Sequence, residues 1–269
     1  MYKKYEHLKE IIASYESLIV AFSGGVDSTF LLKTAYDVLG DNAIAITVST
    51  PYIASWEIDD AICIAREIGA GHEVVQKPWI EAIRQNPKER CYLCKHALFS
   101  SLLEVAQHKG FSSVAEGSNV DDTLEFRPGR VALGELGIQT PLLDAGLTKS
   151  EIRALSKALG LSTWDKPSYA CLLTRFPYDK HIDENTLRMV GLAEGYMIEQ
   201  GYGNIRVRYV DGLARIEMPK EHSTHLLSDK RLPEICAYLK SLGFLYVTLD
   251  LEEYRHASVA ESLSAKQGV

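Results

Sequence analysis

Residues 17–29 read SLIVAFSGGVDST. Residues 17–22 are a short apolar run that stops at glycine, and a helical pattern occupies residues 28–39, so the segment predicts strand, glycine loop, helix. That order brings backbone N–H groups and the positive end of a helix dipole to a point where an anion can be held. The loop, Ser23-Gly24-Gly25-Val26-Asp27-Ser28-Thr29, has no lysine and does not follow the Walker spacing, which makes it poorly suited to γ-phosphoryl transfer of the P-loop kind. Asp27 puts a carboxylate beside the phosphate nest, and a divalent cation, magnesium, is expected to neutralise it. Taken alone, Gly24-Gly25 would be a tight turn opening an ordinary helix.

Further along, residues 43–47 (AIAIT) predict a second buried strand, residues 57–68 a helix and residues 72–76 a third strand. Residues 97–108 continue a helix that begins near a first cysteine pair, and residues 113–115 form a strand entering EGSNVDD at 116–122. After Arg130 a short helix and the TPLL segment precede a helix with Thr148 as N-cap, Glu151 as its capping-box partner and Gly160 as its stop. Strands alternating with helices imply a parallel sheet covered on both faces. The pattern changes after the loop at residues 164–180. A helix near 184–200 is followed by strands at 205–210 and 213–218 joined by an Asp211-Gly212 turn, then a helix and a strand at 244–249. The expected fold class is α/β: a parallel-sheet domain over residues 1–178, and a smaller C-terminal α+β domain over residues 179–269 for substrate or oligomerisation.

Composition narrows the function. A hydrophobic fraction of 46% and a charged fraction of 24% are ordinary globular values, and the formal net charge of −7 argues against a nucleic acid partner, which needs a basic surface. A small-molecule substrate is favoured. No apolar run approaches membrane-spanning length and the N-terminal MYKKYEHLKE lacks a signal-peptide core, so a cytoplasmic protein with no membrane partner is expected. Five cysteines, an odd number, suit reduced, metal-binding or catalytic thiols better than a disulfide framework.

SGGVDST after an apolar strand resembles the signature of the PP-loop ATP pyrophosphatases. The resemblance implies an adenine nucleotide alpha hydrolase-like fold and cleavage of ATP between the α- and β-phosphates to make an adenylate. It gives the end of the second strand, residues 47–49 with Ser49, an adenine-contacting role, and Asp121 and Asp122 of GSNVDD a nucleotide or magnesium role. By composition alone those aspartates could cap a turn.

Cys91 and Cys94, in ERCYLCKHALF, lie three residues apart at a helix start and share a face. Cys171 lies far downstream in KPSYACLLTRFPY. Two nearby thiols with a remote third suit a [4Fe-4S] cluster with one open iron. Zinc, with His96 nearby, is the rival, and a disulfide or inert thiols are the plainer alternatives. Cys63 and Cys236 fall in amphipathic helical patterns and read as core residues.

From the PP-loop through KPSYACLLTRFPY to YVTLDLEEYR at 246–255, the whole chain resembles the LarE family, which thiolates a pyridinium biscarboxylic acid mononucleotide on the way to the nickel-pincer cofactor of lactate racemase. One branch of that family sacrifices a cysteine of its own chain, leaving dehydroalanine; its position here falls on Ala170, beside Cys171. The branch this sequence resembles uses three cysteines and an iron–sulfur cluster, which implies Cys91, Cys94 and Cys171 as cluster ligands and inorganic sulfide or another sulfur donor as a partner. A homo-oligomer is expected. Arg206 and Arg208 alternate on one strand face and Arg215 sits on the paired strand, a set that suits the phosphate or carboxylates of such an acceptor or, more plainly, a solvated surface. Arg175, next to Thr174, would stabilise the adenylate or the incoming sulfur, or else anchor a loop. The resemblance also gives Glu194 and Glu217 a divalent-metal role, with His225 at the third position. A PP-loop tRNA thiolase and a non-catalytic nucleotide sensor are the competing readings, opposed by the acidic balance in the first case and separated by pyrophosphate release in the second.

Overall fold

The computed structural model describes residues 1–124 and 128–252. The end of YVTLDLEEYR, from position 253, lies outside the described residues. The described residues form two compact units: residues 1–50, 55–83, 89–124 and 128–166, and residues 51–54, 84–88 and 167–252. The division follows Lys166, ahead of the position 178 expected from the sequence. Backbone pairings between remote segments account for the difference. Leu172 N–H donates to the Tyr52 carbonyl at 3.1 Å and Ile182 N–H to that of Arg84 at 3.0 Å. The buried Asn86 amide reaches the carbonyls of Leu173, Phe176 and Pro177 at 3.3, 3.2 and 2.8 Å. No local pattern announces such contacts.

In the first unit, α1 (Tyr2–Ala13), β1 (Leu18–Ala21), α2 (Val26–Leu39), β2 (Ala43–Ser49), α3 (Ser55–Ile68), β3 (Gly71–Gln76), α4 (Arg90–Lys109) and β4 (Ser113–Ala115) are followed by α5 (Pro128–Glu135), α6 (Pro141–Asp144) and α7 (Lys149–Ala158). The sheet order is β3-β2-β1-β4, all parallel, with Leu18 opposite both Ala43 and Ser113. Alternate residues of each strand point to opposite faces. Leu18, Val20, Ala43 and Ala45 therefore pack with Phe30, Leu31, Ala61 and Ile152. Ile19 and Ile46 pack with Phe99, Leu102 and Leu133 on the other side. Both faces are covered, as the alternating pattern predicts.

The second unit contains α8 (Glu184–Glu199), β5 (Arg206–Val210), β6 (Leu213–Glu217), α9 (Lys220–Ser228), α10 (Leu232–Ser241) and β7 (Tyr246–Leu249). β5 and β6 are antiparallel and β7 joins β6 in parallel. Asp211 and Gly212 have φ of +46° and +88°, the left-handed pair that a two-residue hairpin demands. The segment before β7, expected to hold one helix, holds two. Among the described residues no helix is long and apolar enough to cross a membrane.

The capping box at α7 forms as predicted: Thr148 accepts from Glu151 N–H, and the Glu151 carboxylate accepts from Thr148 N–H at 3.0 Å. The carboxylate also takes the Lys4 ammonium of α1 at 2.7 Å. Those two donors hold the Glu151 carboxyl down, from 4.5 to about 2. A depressed carboxylate contributes its stability above the unfolded value and loses it as the pH falls through the folded one. Glu151→Gln is therefore expected to melt below the wild type at neutral pH, with the difference in Tm closing between about pH 4.5 and 2. Thermal melts followed by circular dichroism test this, and a constant difference across that window would rule out the charge as its cause.

Candidate functional site

In this open sheet β1 has β2 on one side and β4 on the other, because the chain runs outward from β1 through β2 to β3 and then crosses back to place β4 at the opposite edge. Ligands bind at such a switch point, beyond the carboxyl ends of the strands. Two loops emerge there, the glycine loop after β1 and EGSNVDD after β4. Gly24 has φ +67°, and a Cβ on it would lie 3.0 Å from the Ala61 Cα. Gly117 lets the second loop pass the first turn of α2, where a Cβ would meet Ser28 N at 3.0 Å and the Asp27 Cβ at 3.1 Å. Gly25 ends the loop in extended conformation as the α2 N-cap and contributes no capping side chain.

The Ser23 and Ser28 hydroxyls lie 3.2 Å apart, and Ser28 Oγ donates to the Gly25 carbonyl at 3.2 Å, which draws the loop into a tight arc. Thr29 Oγ1 is buried with no hydrogen-bond partner among the described residues. At the end of β2, Thr47 gives its only proton to the Phe22 carbonyl at 2.7 Å, so the 2.8 Å contact with His72 Nε2 requires the ring to donate. Burial lowers the His72 pKa. Ser49 closes β2, its carbonyl accepting from Lys77 N–H at 2.8 Å.

Asp27 is already neutralised by a residue of the chain. The Lys149 ammonium, from the first position of α7, pairs with Asp27 Oδ2, and Asn119 Nδ2 donates to Oδ1 at 3.3 Å. Burial pushes the Asp27 carboxyl up against the pull of that ammonium. The sequence argument that the carboxylate calls for a metal overlooked this lysine, 122 positions away along the chain. Asp121 accepts from the Lys149 backbone N–H at 2.7 Å, and Asp122 caps its own 3₁₀ turn by accepting from Asn119 N–H at 3.0 Å. Lys166 donates to the Gly24 carbonyl at 2.7 Å and pairs with Asp60. Lys149, Lys166 and Asn119 were not singled out by sequence reasoning. A lysine at the first residue of a helix opposes the macrodipole, and that local conflict was the available signal for Lys149.

All five cysteines are thiols. Cys91 and Cys94 lie in the first two turns of α4, exposed and half-buried respectively, while Cys171 precedes the 3₁₀ turn Leu172–Arg175 in the second unit. The core reading of the other two needs correction. Cys63 is exposed, because Ala61, Ile64 and Ala65 form the buried stripe of α3, and Cys236 is half-buried.

Of Arg175, Arg206, Arg208 and Arg215 in the second unit, the first three are buried. Arg175 is 2% exposed and grips Glu194 with two bonds, Nε to Oε1 at 2.7 Å and Nη2 to Oε2 at 2.8 Å. Its Nη1 donates to the Ala170 carbonyl at 3.0 Å and to Thr174 Oγ1 at 2.5 Å, while Glu194 Oε1 also accepts from Val207 N–H at 2.8 Å. Arg206 donates to the carbonyls of Ile205 and Ser168, both at 2.8 Å, and stacks over Tyr169. Arg208 bonds Glu217 at 2.5 Å and the Thr174 carbonyl at 2.7 Å. Arg215, the most exposed of the set, bonds the same Glu217 oxygen at 2.7 Å and faces Asp250 at 3.4 Å. Glu194 and Glu217 thus have guanidinium counter-ions, and His225 lies on α9 beside the Tyr202 ring. Among the described residues, no group of three or more His, Cys, Asp or Glu side chains is arranged to hold a metal.

A four-stranded parallel sheet with a glycine loop after β1 is the architecture of a PP-loop domain, and the relatives that match the chain include PP-loop enzymes. No family profile matches the chain. It is 41% identical over 97% of its length to the uncharacterised protein slr1717 of Synechocystis, covering 98% of that protein. It is 34% identical over 94% of its length to the pyridinium-3,5-bisthiocarboxylic acid mononucleotide synthase of Lactiplantibacillus plantarum, covering 92% of it. The tRNA-specific 2-thiouridylase MnmA of Caulobacter vibrioides matches at 29% over only 67% of the chain and 58% of its own length. The chain belongs to the LarE family, that of the mononucleotide synthase, and is an ATP-dependent sulfur transferase.

Breaking a buried ion pair by removing one partner leaves an uncompensated charge and costs about 3–5 kcal/mol. Glu194→Ala, which strands Arg175 and the Val207 N–H together, is expected to destabilise the protein by that order, measured by urea denaturation. A change below about 1 kcal/mol, the worth of a surface pair, would contradict the buried geometry.

Proposed function

We propose that the protein adenylates a carboxylate of pyridinium-3,5-biscarboxylic acid mononucleotide and converts it to a thiocarboxylate, in the cytoplasm, for the nickel-pincer cofactor of lactate racemase. The similarity to the mononucleotide synthase along nearly the whole chain carries this reading, together with the PP-loop at the switch point. ATP binds with its phosphates against the N–H groups of residues 23–29, its adenine towards Thr47 and Ser49, and Asp121 and Asp122 border the phosphates. The acceptor carboxylate oxygen attacks the α-phosphorus and the α,β-anhydride bond breaks, its electron pair leaving with pyrophosphate. Sulfide then attacks the acyl carbon and AMP departs with the carbon–oxygen electron pair.

Magnesium accompanying ATP would be held by Asp27 and would offset phosphate charge. The donor chemistry for a [4Fe-4S] cluster fits in part, with Cys91 and Cys94 as thiols one turn apart on α4 and Cys171 the third ligand. When bound, the cluster supplies an open iron for sulfide. Arg175 serves this chemistry as a positioning residue, because its guanidinium holds the carbonyl next to Cys171. Arg215 offers the exposed cation for an acceptor anion, backed by Arg206 and Arg208. The Arg175 pairing disfavours a metal-ligand role for Glu194, and Glu217 keeps one buried oxygen without a hydrogen-bond partner among the described residues.

The products of ATP cleavage are expected to be AMP and pyrophosphate, and Asp27→Ala should abolish their formation; ADP and orthophosphate as main products would refute the assignment. Protein prepared without oxygen should contain about four irons per chain, as one cubane requires. Alanine at Cys91, Cys94 or Cys171 should remove iron and sulfur transfer together and spare ATP binding, whereas alanine at Cys63 or Cys236 should do neither. Dehydroalanine at position 171 in iron-free active protein, detected by mass spectrometry, would overturn the cluster in favour of a sacrificial cysteine.

A further inference from the structure

Lys149 is out of place by helix electrostatics. A cation at the first residue of α7 faces the positive end of the dipole. Two anions compensate: the Asp121 carboxylate takes its backbone N–H at 2.7 Å, and the Asp27 carboxylate takes its ammonium. The Thr148 cap fixes the start of α7 as well. The root of the side chain is therefore anchored while its head lies at the end of a flexible four-carbon stem, about one-third exposed. Asp27 belongs to the first turn of α2, whose amide groups form the phosphate nest. Lys166, by contrast, is committed to the Gly24 carbonyl and Asp60, both parts of the scaffold.

We propose that Lys149 is a catalytic residue for pyrophosphate departure: its ammonium exchanges the Asp27 carboxylate for the β- and γ-phosphates of ATP and counters the charge that grows on the leaving pyrophosphate. This rests on the PP-loop reading above. The loop carries no lysine, yet cleavage of the α,β-anhydride moves an electron pair onto the departing group, where a fixed cation has its largest effect. Lys149 gives up no proton in this role. It enters and leaves as an ammonium, paired with Asp27 in the absence of nucleotide and with phosphate in its presence. The cation travelling with ATP takes over the charge of Asp27.

The test is calorimetric titration of the full chain with two probes, inorganic pyrophosphate and AMP, each with magnesium, alongside assay of pyrophosphate release. Lys149→Met keeps the stem and removes the charge. It should weaken pyrophosphate by roughly tenfold or more, consistent with loss of a charge-assisted contact, and leave AMP within about twofold. Pyrophosphate release should fall through kcat by about a hundredfold or more. Lys149→Arg should recover most of the pyrophosphate affinity. Should Lys149→Met fail to fold, Lys149→Gln, whose amide can still donate to Asp27, takes its place. Unchanged pyrophosphate affinity in the neutral variant, or an equal loss of AMP and pyrophosphate, overturns the proposal, the latter because it marks a purely structural role. Wild-type protein that yields ADP and orthophosphate overturns the PP-loop reading itself, a result independent of the variants.

Discussion

The parallel pairing of β1 with β4 is the constraint on which the proposed nucleotide site depends. β1 alone would deliver one glycine loop to the end of a sheet. Because Val20 also registers with Ala115, the loop after β4 emerges beside it, and Asn119 can reach Asp27 across 92 positions of chain. The close approach has a steric condition at Gly117, where any side chain would press on the Ser28 amide nitrogen. The same pairing sets up the position of α7, since Asp121 in the second loop takes the first N–H of that helix. One strand register thereby aligns three segments, the glycine loop, the loop after β4 and the start of α7.

The second unit is organised by buried charge. Arginine is the cation best suited to this, because its planar fork meets a carboxylate with two bonds and still has donors for backbone carbonyls. Arg175 uses that capacity fully, joining Glu194 of α8 to the loop at residues 170–174. Glu194 in turn holds Val207 N–H of β5, so helix, loop and sheet share one ionic centre. Hydrophobic side chains of similar volume would serve stability as well or better in general. They would not hold the carbonyls of Ala170 and Thr174 in set directions, and the loop carrying Cys171 would lose its fixed path.

Much of the first unit was legible because its signals are local. The strand-glycine-helix order at 17–39, the strand at 113–115 and the capping box at Thr148 are each contained in a window of a few residues, and each formed as read. The LarE resemblance was legible in the motifs. The pairing of Lys149 with Asp27 was not, since electrostatic partners so far apart leave no periodic trace. The burial of Arg206 and Arg208 was equally hidden: alternation on a strand assigns them one face and does not say whether that face meets water or a loop returning from residues 168–174. Cys63 misled for a related reason. An amphipathic helix pattern contains both stripes, and a cysteine near their boundary belongs to whichever side the packing of Ala61 and Ile64 leaves it.

The charge state of the PP-loop follows from two opposed effects of similar kind. Burial alone would favour a protonated Asp27, and a neutral carboxyl would offer an incoming cation little. Lys149 and Asn119 oppose burial by favouring the ionised form, although burial is the larger effect, and the Lys149 ammonium must be displaced before a metal can share Asp27. A bare carboxylate beside the nest would repel a polyphosphate outright. The internal pair removes that repulsion and holds both a cation and an anion ready for partners of opposite sign.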